Sequence, residues 1–71
     1  MISANLPIGH KIMVQGYTIS RYNGTIGTYG GLEFSESRRA IVRYLSGGAA
    51  VWDVGMPLYF STEYLEAIAH D

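Results

Sequence analysis

The side chains that could carry acid–base or nucleophilic chemistry are few in this chain. The candidates, two histidines and two pairs of glutamates spaced three apart, are His10, His70, Glu33 with Glu36, and Glu63 with Glu66. A general acid or base needs a tuned pKa, but the first glutamate pair falls in a polar segment and the second fits a solvated face. No serine lies in the G-x-S-x-G frame of a hydrolase nucleophile. The sequence therefore predicts no catalytic residue, and we expect a protein that is not an enzyme.

Metal and cofactor sites are not indicated either. The chain has no cysteine, and two histidines without a neighbouring carboxylate pattern do not make a metal site. The glycine-rich stretch "GTIGTYGG" lacks the Lys-Ser/Thr ending of a phosphate-binding loop and precedes no predicted helix. We expect no metal and no cofactor.

The positive charges could serve a different purpose, because they are concentrated in the first part of the chain. They are Lys11, Arg21, Arg38, Arg39 and Arg43. Arg39 and Arg43 share one face of a predicted strand with Tyr44 beside them, and arginine with tyrosine can contact phosphates and stack on bases. The same arginines could instead be solvated charges that protect an edge strand. RNA or DNA binding is therefore an alternative function, although a net charge of −1 argues against binding driven by bulk charge.

Aromatic residues are the most unusual part of the composition. Six tyrosines, two phenylalanines and one tryptophan accompany a charged fraction of only 15%, against about 25% in an average domain. Tyr17, Tyr22 and Tyr59 are expected to be exposed, and Trp52 to be partly buried, as tyrosine and tryptophan often are at interfaces. We predict that Tyr17, Tyr22, Trp52 and Tyr59 bind another protein. The leading function is a non-enzymatic binding module that docks on a larger protein or complex as an adaptor or inhibitor.

Short runs rich in Val, Ile, Tyr and Thr, separated by glycines, predict strands through most of the chain. In "HKIMVQG", Ile12 and Val14 alternate with polar residues and should face the core. In "RRAIVRYL", the same alternation predicts Ala40, Val42 and Tyr44 inside, with Leu45 on the face of the arginines. "AAVWDV" and "LYFS" are the next predicted strands.

Two local signals predict how these strands are connected and how the chain closes. Asn23-Gly24 favours a two-residue turn, because both residues accept a positive φ, although a loop over residues 16–23 is the competing interpretation. Ser61 is well placed as an N-cap for "TEYLEAIA". This segment should form a short helix over residues 62–69 that is stable only when docked on the strands.

Length and composition limit the whole molecule to one small core. We expect a single domain over residues 1–71. The lack of cysteine favours a reducing, cytoplasmic setting, and we expect no membrane association because no apolar run reaches about 18 residues. Sharing a core with a second copy would stabilise so small a domain, which makes a homo-oligomer a further expectation.

Glycine, aliphatic and aromatic residues over positions 9–45 form a pattern that can be compared with a known protein family. The residues are Gly9, Ile12 and Val14 in "GHKIMV", Gly24, Gly27 and Tyr29 in "NGTIGTY", and the strand "RAIVRY". The pattern resembles the small SH3-like barrels of the KOW type found in ribosomal proteins and transcription elongation factors. The resemblance implies that Gly24 and Gly27 are structural and that Arg21, Tyr22 and Asn23 lie near a surface for RNA or protein. The predicted fold is all-β, an SH3-like barrel of about five strands with a short C-terminal helix.

The ending "LEAI" also resembles the small type II dihydrofolate reductases, which are SH3-like barrels as well. Their shared tetrameric pore depends on a Gln-Ile-Tyr strand before that ending. The matching stretch here is Leu58-Tyr59-Phe60. Because the glutamine is missing, the resemblance does not predict reductase activity.

Overall fold

The computed structural model describes residues 1–47, 50–51 and 57–68, with only the backbone described at 50–51. Its regular elements are six strands and two 3₁₀ helices. The strands are β1 (Lys11–Val14), β2 (Ile26–Leu32), β3 (Ala40–Gly47), β4 (Ala50–Val51), β5 (Leu58–Phe60) and β6 (Leu65–Ala67). The 3₁₀ helices are η1 (Ser20–Tyr22) and η2 (Thr62–Tyr64). The prediction of an all-β fold is confirmed for these residues.

All strand pairings are antiparallel. The order across the sheet is β4-β3-β2-β1-β6, and β5 also pairs with β3. Strand β1 therefore lies between its sequence neighbour β2 and the last strand β6, with Ile12 opposite both Gly27 and Ala67. The sheet thus joins segments from the two ends of the described chain.

The core consists of apolar side chains from the N-terminal segment and from strands β1, β2, β3, β5 and β6. Its members are Ile2, Ile12, Val14, Tyr29, Ala40, Val42, Leu45, Phe60 and Leu65. The predicted alternation in β1 is confirmed, since Ile12 and Val14 are fully buried and Lys11 is exposed. Gly27 leaves the room that this core needs, because a Cβ there would lie 2.6 Å from Val42 Cγ1 and 3.2 Å from Leu45 Cδ1.

Strand β3 departs from the predicted alternation. Tyr44 was expected in the core but is exposed, and Leu45 was expected outside but is buried. Ile26 pairs with Ser46 while Thr28 pairs with Arg43, so two residues of β3 stand opposite the single residue Gly27. This β-bulge holds Tyr44 at a φ of 57°. Adding one residue reverses the inside-outside pattern beyond the bulge.

The predicted C-terminal helix is wrong for the described residues. Thr62–Tyr64 form one 3₁₀ turn, and Leu65–Ala67 form strand β6. Ser61 makes no side-chain cap hydrogen bond. So short a helix has little stability of its own, whereas the extended chain pairs with the open edge of β1 and buries Leu65. None of the helices found in the described residues has the length and apolar character needed to cross a membrane.

The Asn23-Gly24 turn differs from the predicted two-residue hairpin. Asn23 has a φ of −68° and a ψ of 135°, and only Gly24 has a positive φ, of 85°. The Thr25 amide donates to the Tyr22 carbonyl at 3.2 Å. These features are those of a type II turn, which needs glycine at its third position. The competing interpretation, a loop before this turn, is the one the structure shows.

Candidate functional site

The loop between β1 and β2 is held in shape by the side chain of Asn23. Its Oδ1 accepts the Tyr17 amide hydrogen at 2.8 Å, and its Nδ2 donates to the Tyr17 carbonyl at 3.1 Å. Asparagine offers an acceptor and a donor together, so one side chain satisfies both backbone groups of one residue. These two hydrogen bonds fix the position of Tyr17 relative to Asn23. Because Asn23 directly follows Tyr22 at the end of η1, they also fix Tyr17 relative to Tyr22.

Four aromatic rings meet beside this loop, and we call them the aromatic cluster: Tyr17, Tyr22, Phe60 and Tyr64. Tyr17 lies at its centre, with ring centroids 5.8 Å from Tyr22, 5.1 Å from Phe60 and 5.1 Å from Tyr64. Tyr22 and Phe60 are 5.6 Å apart. The interplanar angles of these pairs are 73° to 81°. This edge-to-face packing places the positive rim of one ring against the negative face of the next.

The cluster is anchored on the core side and open on the other. Phe60 is buried, whereas the three tyrosines are only half-buried. The pKa of Tyr64 is raised above 10.0, chiefly by the charge of neighbouring Glu63 and then by desolvation. Its phenol therefore stays neutral and can donate a hydrogen bond. The Arg21 guanidinium lies 5.4 Å from the Tyr22 ring centroid, a cation–π geometry.

A second aromatic–cation pair adjoins the cluster through Arg39. The Arg39 guanidinium lies 5.3 Å from the Tyr59 ring centroid, and its Nε donates to Glu33 Oε1 at 2.7 Å. The hydrogen bond to Glu33 is the main cause of a raised Arg39 pKa, and the Tyr59 and Tyr17 hydroxyls add smaller electrostatic contributions. The pKa of Glu33 is lowered to about 2, first by Arg39. At neutral pH this pair is fully charged.

The remaining cations do not gather at one place. Lys11 and Arg43 both stand opposite Thr28, on β1 and β3, and form a short row across the outer face of the sheet. Lys11 Nζ donates to Thr28 Oγ1 at 3.3 Å. Arg38 is exposed in the loop between β2 and β3.

Comparison with models of known protein families, with curated proteins and with solved structures finds no match.

The structure brings two of the four residues predicted to bind protein, Tyr17 and Tyr22, into contact. Tyr59 lies instead against the Arg39 guanidinium, whose pKa the Tyr17 hydroxyl raises only slightly. Their exposure differs from the prediction, because Tyr17 and Tyr22 are half-buried and only Tyr59 is exposed. Trp52 lies outside the described residues.

Sequence reasoning missed Tyr64, because it was assigned to a helix, and it missed the link that Arg39 makes to the tyrosines. Asn23 was predicted as a turn residue near a contact surface, but not as the side chain that holds the loop. Nothing in the spacing of "TEY" marked Tyr64 as part of the cluster. The signal that could have identified Asn23 is its polar amide six residues after Tyr17, within a loop rich in small and polar residues.

Within the described residues, no cluster of three or more His, Cys, Asp or Glu side chains could hold a metal ion. The sequence predicts His10 to be a solvent-exposed, uncoordinated histidine. In the structure it is half-buried, and its Nε2–H donates to the Ile68 carbonyl at 2.9 Å. This hydrogen bond ties the start of β1 to the end of β6.

Proposed function

We propose that this protein is a small non-enzymatic binding module that docks on a larger protein through the aromatic cluster and the adjoining Arg39–Tyr59 pair. The observation that carries the proposal is the packing of Tyr17, Tyr22 and Tyr64, which are ordered by edge-to-face contacts yet keep part of each ring exposed. Rings that are already ordered lose little conformational entropy on binding. Tyrosine also offers apolar area with a hydroxyl, which suits it to protein interfaces.

The charges around the cluster support a partner with both apolar and polar groups. Arg21 stands over Tyr22, and the Glu33–Arg39 pair stands beside Tyr59. Such a rim around a tyrosine-rich centre is the usual arrangement of a transient protein interface. The partner surface that fits it carries apolar or aromatic side chains with hydrogen-bond acceptors for the tyrosine hydroxyls.

We also propose that the sheet closes into the SH3-like barrel expected from the sequence. Strands β5 and β6 are at opposite ends of the order β5-β3-β2-β1-β6, and in a flat sheet they would be about 19 Å apart at about 4.8 Å per step. Only residues 61–64 connect them, and three of these form a 3₁₀ helix that rises about 2 Å per residue. The sheet must curl to bring its ends this close. Nearly equal extents of 30 × 29 × 24 Å agree with a curled sheet.

The test of docking is a pull-down from the source cells with the tagged protein, with and without nuclease, read by quantitative mass spectrometry. A stoichiometric protein partner should be recovered in both cases. Tyr22→Ala should lose it, because it removes a partly exposed ring of the cluster. Tyr44→Ala is the matched control, since Tyr44 is exposed and belongs to none of these ring pairs. Thermal melts of both variants establish that they fold. Recovery of no stoichiometric partner by the wild-type protein would refute the proposal.

A second candidate function, single-stranded RNA or DNA binding on the outer face of the sheet, is favoured by one specific observation. The bulge in β3 turns both Arg43 and Tyr44 outward, on the same sheet as the Lys11–Thr28–Arg43 row. Cations beside an exposed ring can hold phosphates and stack a base. Arg21, Arg38 and Arg39 lie elsewhere, so this surface has two of the five predicted cations.

Salt dependence distinguishes the nucleic-acid candidate from protein docking. A mixed-sequence single-stranded oligonucleotide should bind at low salt and weaken as salt rises. Replacing Lys11 and Arg43 together by Gln should reduce the slope of log K against log salt by about 1.4, at about 0.7 for each phosphate contact. Replacing Arg21 and Arg38 by Gln makes the same change in charge and should leave the slope closer to that of the wild type. No binding at low salt would remove this candidate.

A further inference from the structure

The loop between β2 and β3, residues 33–39, is braced by hydrogen bonds that converge on the Glu33 carboxylate. Glu33 Oε1 accepts from Ser37 Oγ at 2.9 Å, from the Arg39 amide at 3.3 Å and from Arg39 Nε at 2.7 Å. The Glu33 amide in turn donates to the Arg39 carbonyl at 3.0 Å, and the Arg38 amide to the Ser35 carbonyl at 3.2 Å. The two ends of the loop are therefore closed on each other.

The braced loop carries a fully exposed aromatic side chain and a strained residue. Phe34 has a relative exposure of 108%, the highest among the exposed large apolar side chains of the described residues. Arg38 has a φ of 47°, a left-handed conformation that costs free energy for any residue with a Cβ. Strain of this kind persists where the surroundings impose it, and it is concentrated at functional sites.

A single exposed apolar side chain is common on protein surfaces and needs no functional explanation. Phe34 differs in two respects. Its backbone is held by the hydrogen bonds of residues 33–39, and the base of that loop, Arg39, contacts Tyr59 and interacts electrostatically with Tyr17 of the aromatic cluster. A phenyl ring on a pre-ordered loop next to a docking surface loses little entropy when it is buried by a partner.

We propose that Phe34 is an anchor that inserts into an apolar pocket on the protein partner of the aromatic cluster. This inference rests on the proposed function and adds the side chain that dominates the affinity. Buried aromatic anchors in pockets commonly contribute most of the binding energy of an interface. The braced loop presents the ring, and the tyrosine surface supplies the area around it.

The charges of the loop favour a protein pocket over other partners. Glu33 and Glu36 balance Arg38 and Arg39, so the loop has no excess of positive charge to attract nucleic acid or an anionic bilayer. An apolar pocket with a polar rim matches both the ring and the mixed charges around it.

The experiment uses the photoreactive amino acid p-benzoylphenylalanine, incorporated in separate full-length proteins at position 34, 22 or 44 and irradiated in the source cells. Tyr44 is an exposed control on strand β3 that belongs to none of the ring pairs of the cluster. We expect positions 34 and 22, but not 44, to cross-link to the same protein. Mapping of the cross-linked peptide should place position 34 against apolar residues of that protein.

Affinities for the purified cross-linked protein then decide the role of the ring. Phe34→Ala should weaken binding by at least about 30-fold, the loss expected of a hot-spot residue, while Glu36→Ala in the same loop changes it by less than about threefold. Phe34→Leu should retain part of the affinity, because an apolar pocket accepts another apolar side chain. Melting curves of all three variants should match the wild type, since both sites are exposed.

The outcomes separate this inference from the proposed function. Cross-linking from position 22 without cross-linking from position 34, or a loss below about threefold for Phe34→Ala, would overturn the role of Phe34 and leave docking intact. Absence of cross-links from both positions would overturn the two together. Cross-linking from position 34 to a second copy or to lipid would also contradict the inference.

Discussion

At the scale of single residues, the Glu33–Arg39 pair lowers the pKa of the Glu33 carboxyl far enough for a titration to detect. The folded pKa of Glu33 is lowered from 4.5 to about 2, first by its hydrogen bond to Arg39. Because the folded value lies below the unfolded one, the contribution of this carboxylate to stability is present above pH 4.5 and is lost as the pH falls toward 2. A carboxyl NMR titration should show a midpoint near 2, and Arg39→Gln should move it back toward 4.5. A wild-type midpoint above 4 would contradict the ion pair.

At the scale of elements, the bulge in β3 reverses the order in which residue types are favoured at position 44, compared with a regular strand. In a regular strand, Tyr44→Val would be tolerated and Tyr44→Gly would destabilise. Tyr44 has a φ of 57°, which β-branched residues strongly disfavour and glycine adopts freely. We therefore expect Tyr44→Val to lower the free energy of unfolding by about 1–2 kcal/mol and Tyr44→Gly to leave it unchanged or to raise it by up to about 1 kcal/mol. Urea denaturation measures both, and the opposite order of stability would contradict the bulge.

At the scale of the whole molecule, one small core carries the stability without disulfides. A domain of 71 residues is expected to unfold with a free energy of about 4–11 kcal/mol. Leu65 is fully buried in β6, and Leu65→Ala should cost about 2–5 kcal/mol, a large part of that total. Glu66→Ala, the exposed neighbour in the same strand, should change it by less than about 0.5 kcal/mol. Chemical denaturation followed by fluorescence tests this, and equal effects of the two substitutions would contradict the placement of β6.

The sequence predicted the structure correctly where a local pattern determines it. It failed where pairing with a segment distant in sequence determines it. The alternation of Ile12 and Val14 predicted the buried face of β1, because period-two patterns survive in a regular strand. The same rule failed at Tyr44 and Leu45, since a bulge is set by pairing with β2. The segment after Ser61 carries helix signals, but the open edge of β1 decides its conformation. For the same reason the tyrosines of the β1–β2 loop were predicted as a surface, while their contact with Tyr64 was not.

The position of β1 between β2 and β6 has a consequence for synthesis on the ribosome. Strand β1 is made early and can pair with β2 as soon as both have emerged, but its other edge must wait for Leu65–Ala67. Until then Leu65 does not pack against the core that contains the side chains of Ile12 and Val14. The unpaired edge of β1 is also open to pairing with another chain. The core can therefore be completed only after β6 has left the exit tunnel. A chain stalled before Leu65 should be a target for chaperones.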